Sequence, residues 1–343
     1  MTFTPLRTDR LLLRPVRAAD AAPLAARRSD PEVARYQTWI PPYALDRAEA
    51  LIADVMAMDG PSDGAWWMLT VADPADTTVF GDIVMKLTWD GRTAEIGYNF
   101  DRDSWGQGYA VGAVEALVEY LFDTVRVTRI EGGLHPDNPA SAMVLERVGM
   151  LFEGHTRRSF WVGDDNSDDW LYGMVRDDWE AWRSRPRHRP ESVELVEVTT
   201  DNLRATMRLV THKSQEQFVA PVTQSLCEAL VPPVENGVTL DPWYRAVVAD
   251  GELAGFVMLA RSQPGAAEPW LWRLLVDRMH QRRGIGSRTI DLVVDQCRAR
   301  GDDTLLTSWR LGRGSPEPMY LARGFVPTGE IDDGEVIARL RLV

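Results

Sequence analysis

Apolar residues in this chain recur with two periods, and the order in which those periods follow one another is the same in both halves. Short apolar runs bounded by turn formers predict strands; apolar positions three and four apart predict helices with one buried face. The first half opens with a strand over 11–15, a helix over 18–28 and a second helix over 46–58 that gathers Leu51, Ile52, Val55 and Met58 on one side. Strands are predicted at 66–71, 79–88 and 94–100, then a helix over 110–122 striped by Ala113, Leu117 and Leu121. A strand at 129–134, a helix at 140–148 and strands at 151–159 and 170–175 complete the half. The second half repeats the order: a strand at 193–197, helices at 202–210 and 224–230, and strands at 244–249, 253–260 and 270–276. A helix over 285–300, a strand at 304–309, a short helix at 318–323 and strands at 325–329 and 336–342 follow. Asp90-Gly91 and Asp250-Gly251 mark hairpin turns between strands. Between the halves, Ser184-Arg185-Pro186-Arg187-His188-Arg189-Pro190-Glu191 is polar, twice interrupted by proline and without apolar periodicity, which reads as a linker. The expected architecture is therefore a tandem of two mixed α/β domains, 1–183 and 192–343, joined by 184–191.

In each half one strand runs through a short glycine-bearing turn straight into a helix. The turns are Trp105-Gly106-Gln107-Gly108-Tyr109-Ala110 and Gln281-Arg282-Arg283-Gly284-Ile285-Gly286. A helix N-terminus leaves backbone N–H groups unpaired and its dipole favours negative charge. Small residues there let a phosphate approach the main chain. Both turns are thus expected to cradle an anion.

Composition adds limits. The chain has 343 residues, 45% hydrophobic and 26% charged, which suits folded domains. No run reaches the length of a membrane span, and Met1-Thr2-Phe3-Thr4-Pro5 does not read as a signal peptide. Cys227 and Cys297 have neither metal-ligand spacing nor the makings of a disulfide framework, so a reduced, cytoplasmic setting is expected and no metal site. Residues 1–191 hold 21 basic and 31 acidic residues, and 192–343 hold 17 and 20. An acidic chain argues against nucleic acid as a partner and is compatible with a cationic substrate, or with charge serving solubility alone.

Within this order of elements the two turns resemble the Gln/Arg-x-x-Gly-x-Gly/Ala fingerprint of the GNAT superfamily of acyl-CoA-dependent N-acetyltransferases. Gln281, Gly284 and Gly286 match throughout; Gly108 and Ala110 match, with Trp105 in the Gln/Arg position. The first half is similar to ribosomal-protein alanine N-acetyltransferases through Leu11-Leu12-Leu13-Arg14-Pro15, Glu95-Ile96-Gly97-Tyr98, Asn138-Pro139-Ala140-Ser141 and Leu145-Glu146-Arg147-Val148-Gly149-Met150. The second half resembles spermine/spermidine acetyltransferases through Gln217-Phe218-Val219-Ala220-Pro221, Trp272-Arg273-Leu274-Leu275-Val276-Asp277 and Tyr320-Leu321-Ala322-Arg323-Gly324-Phe325. Arg313 and Pro316 depart from the Asn and Ala usual before that tyrosine. The resemblance implies two domains, each with a splayed mixed sheet flanked by helices, and acetyl-CoA as donor.

Acetyl transfer to an amine needs the thioester held, its carbonyl polarised, the ammonium deprotonated and the thiolate protonated. The backbone amides of Gly106, Gln107, Gly108, Tyr109 and Ala110, and of Arg282, Arg283, Gly284, Ile285 and Gly286, are the expected diphosphate cradles, with Gln281 at the second. By resemblance, the strand ends at Tyr98–Phe100 and at Leu275–Asp277, with Val276, receive the pantetheine arm and offer an oxyanion donor. Glu95 is the candidate base of the first domain, through water, or else a solvated glutamate on the other face. Asn138 is implied to contact the cofactor and Ser141 to approach the sulfur, although both residue types also cap helices. His135 is a lesser candidate for proton relay.

Tyr320 is the expected general acid of the second domain, or a packed core tyrosine. Glu216, Asp277 and Glu335 are its possible bases. Trp39, Trp66, Trp67 and Trp161 are candidates for a cation-binding pocket or for packing. Asp164-Asp165-Asn166-Ser167-Asp168-Asp169 lacks the glycine and terminal glutamate of a calcium loop and reads as a hairpin tip, or as an amine-attracting patch. The expected function is acetyl-CoA-dependent N-acetylation of a primary amine, on a small cationic molecule or a protein N-terminus. The alternatives are a non-catalytic sensor of CoA or amines, and one catalytic half with the other as scaffold.

Overall fold

The Asp-Gly pairs reverse the chain as their chemistry demands: Asp90, Gly91, Asp250 and Gly251 all adopt positive φ, between adjacent antiparallel strands. A computed structural model describes residues 3–162, 164–232, 234–235, 238–262 and 268–342. Its chain divides into two compact units, Met1–Arg183 and Ser184–Val343.

In the first unit the elements run β1 (Leu6–Arg7), β2 (Leu12–Pro15), α1 (Ala21–Ser29), α2 (Pro31–Ala34), α3 (Leu45–Met56), β3 (Trp66–Ala72), β4 (Val79–Thr88), β5 (Thr93–Phe100) and α4 (Tyr109–Tyr120). They continue through β6 (Arg129–Leu134), α5 (Pro139–Arg147), β7 (Leu151–Val162), β8 (Asp165–Val175) and α6 (Arg176–Ser184). The eight strands form one sheet in the order β1-β2-β3-β4-β5-β6-β8-β7, antiparallel except for β5 and β6. Alternation along β4 and β5 sends Ile83, Met85, Ala94 and Ile96 into the core, where Ala113, Val114, Leu117 and Val118 of α4 meet them. The buried charges of Arg14 and Arg27 inside the unit are met by opposite charges. Arg27 of α1 reaches Asp82 of β4 at 2.7 Å and Asp101 at 2.9 Å, pinning that helix to the strand end that leads into the turn.

The second unit contains β9 (Val193–Val196), α7 (Leu203–Thr206), α8 (Val222–Glu228), the short pair β10 (Val234–Glu235) and β11 (Val238–Thr239), β12 (Asp241–Ala249), β13 (Glu252–Arg261) and β14 (Trp270–Val276). After these come α9 (Ile285–Arg300), β15 (Thr304–Arg310), α10 (Glu317–Leu321), β16 (Val326–Asp332) and β17 (Glu335–Arg341). Seven strands order as β16-β17-β15-β14-β13-β12-β9, with β14 and β15 the parallel pair. Apolar clusters on its sheet gather around Ile290, Val293 and Trp309, and around Val222, Phe256 and Leu275.

Both sheets splay at their parallel pair. The β5–β6 ladder holds from Thr93↔Arg129 to Glu95↔Glu131 and goes no further; the β14–β15 ladder holds only at Trp270↔Leu306 and Leu271↔Thr307. The rest of β5 and β14 therefore leaves backbone groups on that side for something other than the sheet.

Two expectations need correction, and one holds. The helix expected over 202–210 stops at Thr206, because Asp277 takes the Val210 N–H at 3.0 Å and the Arg278 N–H takes its carbonyl at 2.9 Å. The acidic run near 164–169 does sit at a hairpin tip: Val162 pairs with Asp165 as β7 returns into β8, residues 164–166 are exposed, and Asp168 accepts from the Arg158 N–H at 2.9 Å. Trp39 and Trp67 are buried core, the Trp39 indole donating to the Arg28 carbonyl at 3.0 Å, so neither lines a pocket. Trp161 is exposed on the β7–β8 hairpin, and Trp66 alone of the four stands over a site residue's ion-pair partner, Lys86.

Candidate active site

Each cradle begins with a short 3-10 turn after the splayed strand and ends in a left-handed glycine that opens the helix. Gly108 has φ 82° and ψ 5°, Gly284 φ 81° and ψ 6°. Left-handed backbone is strained for residues with a Cβ. A Cβ built on Gly108 meets nothing nearer than an Arg10 nitrogen at 3.9 Å, and one on Gly284 only an Arg189 nitrogen at 4.0 Å. The space over each turn is thus open, with a guanidinium beside it. Intrahelical bonding starts late, with Gly112 N–H to the Gly108 carbonyl and Arg288 N–H to the Gly284 carbonyl. The amides of Tyr109, Ala110 and Val111, and of Ile285, Gly286 and Ser287, precede the first such bond.

Trp105 performs the task of the glutamine it replaces. Its indole N–H donates to the Phe100 carbonyl at 3.0 Å, closing strand end to turn. In the second unit the Gln281 amide donates to the Val276 carbonyl at 3.1 Å. Gln107 lends its carbonyl to Arg10 at 3.0 Å, and Tyr109 stacks on Phe80 with ring centroids 4.2 Å apart. The Arg283 side chain is buried against the His188 carbonyl and Asp250, so only its backbone faces the turn. Gly286 allows α9 and α10 to approach: a Cβ there lies 3.2 Å from the Met319 sulfur. Phe100, Leu275 and Ile285 are buried; Leu275 and Ile285 pack their side chains in the core, so what they offer a ligand is main chain.

In the first unit Glu95 is the last paired residue before the splay, half-exposed and 2.5 Å from Lys86. Tyr98 turns its hydroxyl to Ser141, 2.8 Å from Oγ and 3.0 Å from the carbonyl oxygen. Burial holds that phenol well above its ordinary range, with Ser141 opposing the shift. Asn138 caps α5, its side chain accepting from the Ser141 N–H at 3.2 Å. His135 stacks near Tyr36 at 5.0 Å, and its Nδ1 accepts from the Asp137 N–H. Sequence reasoning named Asp169 only within the acidic run, as hairpin tip or amine-attracting patch, and gave it no part in catalysis; its carboxyl lies over Gly133 beside the gap, and burial first, then the charge of Glu95, pushes it up to about 6. The signal available was Gly132-Gly133, a glycine pair inside a strand, which marks a close approach.

In the second unit a cavity of about 640 Å³ joins the turn at Arg282 and Gly286 to β14, Tyr320 and Glu335. The register slips between Leu271 and Arg273, so Trp272 is a bulge at the start of the splay. Tyr320 stacks on Trp309 at 5.6 Å while lining the cavity. Burial pushes its phenol up to about 12, against a hydrogen bond to Thr307, which keeps the proton on oxygen near neutrality. The possible bases are all engaged: Asp277 caps with the Met279 N–H at 2.9 Å, Glu216 pairs with Lys213 at 2.6 Å, and Glu335 takes Ser308 at 2.5 Å.

Comparison with known proteins agrees with this geometry. The acetyltransferase (GNAT) domain matches residues 10–151, and the acetyltransferase (GNAT) family matches residues 221–313. The N-acetyltransferase p20 of Bacillus licheniformis is 31% identical over 154 residues, covering 44% of this chain and 85% of p20. The ribosomal-protein-serine acetyltransferase of Escherichia coli is 33% identical over 86 residues, 25% of this chain and 48% of that enzyme. A GNAT-family acetyltransferase structure from Bacillus anthracis has a TM-score of 0.46 at 23% identity, covering 51% of this chain and 99% of that one. The chain belongs to the GNAT acetyltransferases and carries two such domains in tandem. Enzymes of this family transfer an acetyl group from acetyl-CoA.

Proposed function

We propose that this chain is an acetyl-CoA-dependent N-acetyltransferase acting on a primary amine, and that each of its two domains, 1–183 and 192–343 with 184–191 between them, holds one CoA. The observation that supports the reading most is the pairing, in each unit, of an open left-handed glycine turn with a strand that leaves its parallel neighbour after two or three residues. The amides after Gly108 and Gly284 suit the diphosphate, and the exposed edges of Tyr98–Phe100 and of Leu275–Val276 suit the amide-bearing pantetheine arm. Bound there, acetyl-CoA supplies an acyl carbon already activated by its sulfur.

The amine forms a C–N bond as the C–S bond breaks. One of its protons passes to a base and another to the departing sulfur. Tyr320 is the donor to sulfur in the second domain, where burial keeps the phenol protonated. In the first domain the Tyr98–Ser141 hydroxyl pair takes that place. The acceptor is a cation in its resting form, a small polyamine-like molecule or a protein N-terminus.

Thiol release from acetyl-CoA, followed with spermidine and with a short peptide bearing a free α-amino group, tests the reading. Transfer to either, lowered when Gly108 or Gly284 is replaced by tryptophan and lost when both are, is the expected result. Binding of acetyl-CoA with no transfer to any amine would instead make the chain a sensor.

A further inference from the structure

We propose that Asp169 is the group that takes the proton from the acceptor ammonium in the first domain. The inference rests on the reading of that domain as an amine acetyltransferase. Laterally paired residues point to one side of a sheet, as do residues two apart along a strand. The pairs Lys86↔Glu95, Glu95↔Glu131 and Gly133↔Leu171 therefore put Lys86, Glu95, Glu131, Gly133, Leu171 and Asp169 on one face, around the point where β5 leaves β6.

Three acids on or beside that face are already neutralised. Glu95 has Lys86 at 2.5 Å, while Arg129 holds Glu131 at 3.1 Å and Glu153 at 2.5 Å. Among the described residues Asp169 has no basic side chain as partner. Its carboxyl accepts the backbone N–H groups of Leu134 and Trp170 and lies where residue 133 would carry a side chain: a Cβ on Gly133 would stand 2.7 Å from an Asp169 oxygen. The glycine makes room for a carboxylate beside the gap, half-buried and lacking a cation. An incoming ammonium supplies that cation.

Proton transfer then breaks one N–H bond and makes one O–H bond on Asp169, leaving the lone pair on nitrogen. The carboxyl afterwards returns the proton to water. The groups facing Asp169 are Glu95 from β5 and the backbone of β6, with Lys86, Glu131, Arg129 and Glu153 farther out on the same face. Burial and the nearby Glu95 charge place its titration near 6, so it is a carboxylate at neutral pH and still accepts a proton readily.

Two readouts on the full chain test this. In carbon NMR of the resting protein, one carboxyl should titrate near pH 6, vanish in Asp169→Asn and move to lower pH in Glu95→Gln, since that change removes the like charge. In rates with acetyl-CoA and either spermidine or an α-amino peptide, kcat/KM should rise through the same pH. Asp169→Asn should lose that limb and fall about 100-fold; Glu95→Gln should keep the limb and shift it downward. Absence of any carboxyl titrating near 6 overturns the proposal. So does an Asp169→Asn enzyme within threefold of wild type while Gly108→Trp abolishes transfer. If Gly108→Trp leaves transfer intact, the transfer belongs to the second domain and the Asp169 proposal falls while the acetyltransferase reading stands; if wild type transfers to neither amine, both fall.

Discussion

The two cradles reach one backbone by different side chains. Asp101 and Asp277, which start the turns, have φ/ψ of −55°/141° and −55°/140°; Trp105 and Gln281 are both extended; and Gly106 at φ 76° is matched by Arg282 at φ 65°. What the fold requires at the first fingerprint position is one N–H aimed at the strand-end carbonyl, and an indole meets that need as well as an amide does. The turn at Gly108 is therefore no degraded copy of the turn at Gly284.

The units differ where protons move. Counting back from Gly149 and Gly324, which both have positive φ, Leu145 stands where the second unit has Tyr320, and Pro316 stands where the first has Ser141. The first unit offers Tyr98–Ser141 and the carboxyls of Glu95 and Asp169; the second offers a buried phenol and acids that are already paired. One binding frame carries two different sets of acids and bases.

The largest effect that would sharpen this contrast is confined to one unit. Arg27→Ala leaves Asp82 buried without its cation, so the first unit should lose about 3–5 kcal/mol, seen as lost amide-exchange protection in α1 and β4 only. Tyr320→Phe should lower transfer by the second unit about 100-fold with CoA affinity unchanged; an unchanged rate would make Tyr320 a packing residue. Trp105→Ala and Gln281→Ala should each weaken CoA binding about fivefold, one hydrogen bond's worth of roughly 1 kcal/mol. Trp105→Gln should recover the affinity, and failure to do so would break the equivalence of the two turns.

The smallest effect is one of pH. Burial, with Arg278 and Arg185 nearby, lowers His212 to about 4. Its folded form is neutral while the unfolded chain takes up a proton below about 6.5, so the second unit should lose stability as pH falls from 6.5 toward 4. His212→Gln should flatten that slope in melting curves. Asp169 has the opposite sign: its raised value makes the charged form unfavourable above about 6, so Asp169→Asn should stabilise the first unit at pH 8 more than at pH 5.

Most of this fold was legible because its elements are long and strongly periodic: β4 at Val79–Thr88, β6 at Arg129–Leu134 and α9 at Ile285–Arg300 lie where apolar spacing puts them. The glycine turns were legible from composition. What sequence hid depends on partners distant along the chain. Asp277 truncates α7 from outside it, and Asp169 reaches the cleft only because β8 lies between β6 and β7. Trp105 read as a departure because residue type, and not the N–H it presents, was what could be compared. Trp39 stayed open between pocket and packing because burial cannot be told from the letter alone.

Calorimetric titration of the full chain with CoA tests the central claim most directly. Two sites should be filled, with Gly108→Trp and Gly284→Trp each removing one and the double variant removing both. A single site untouched by Gly108→Trp, or no binding at all, would contradict the account that both turns are working cradles.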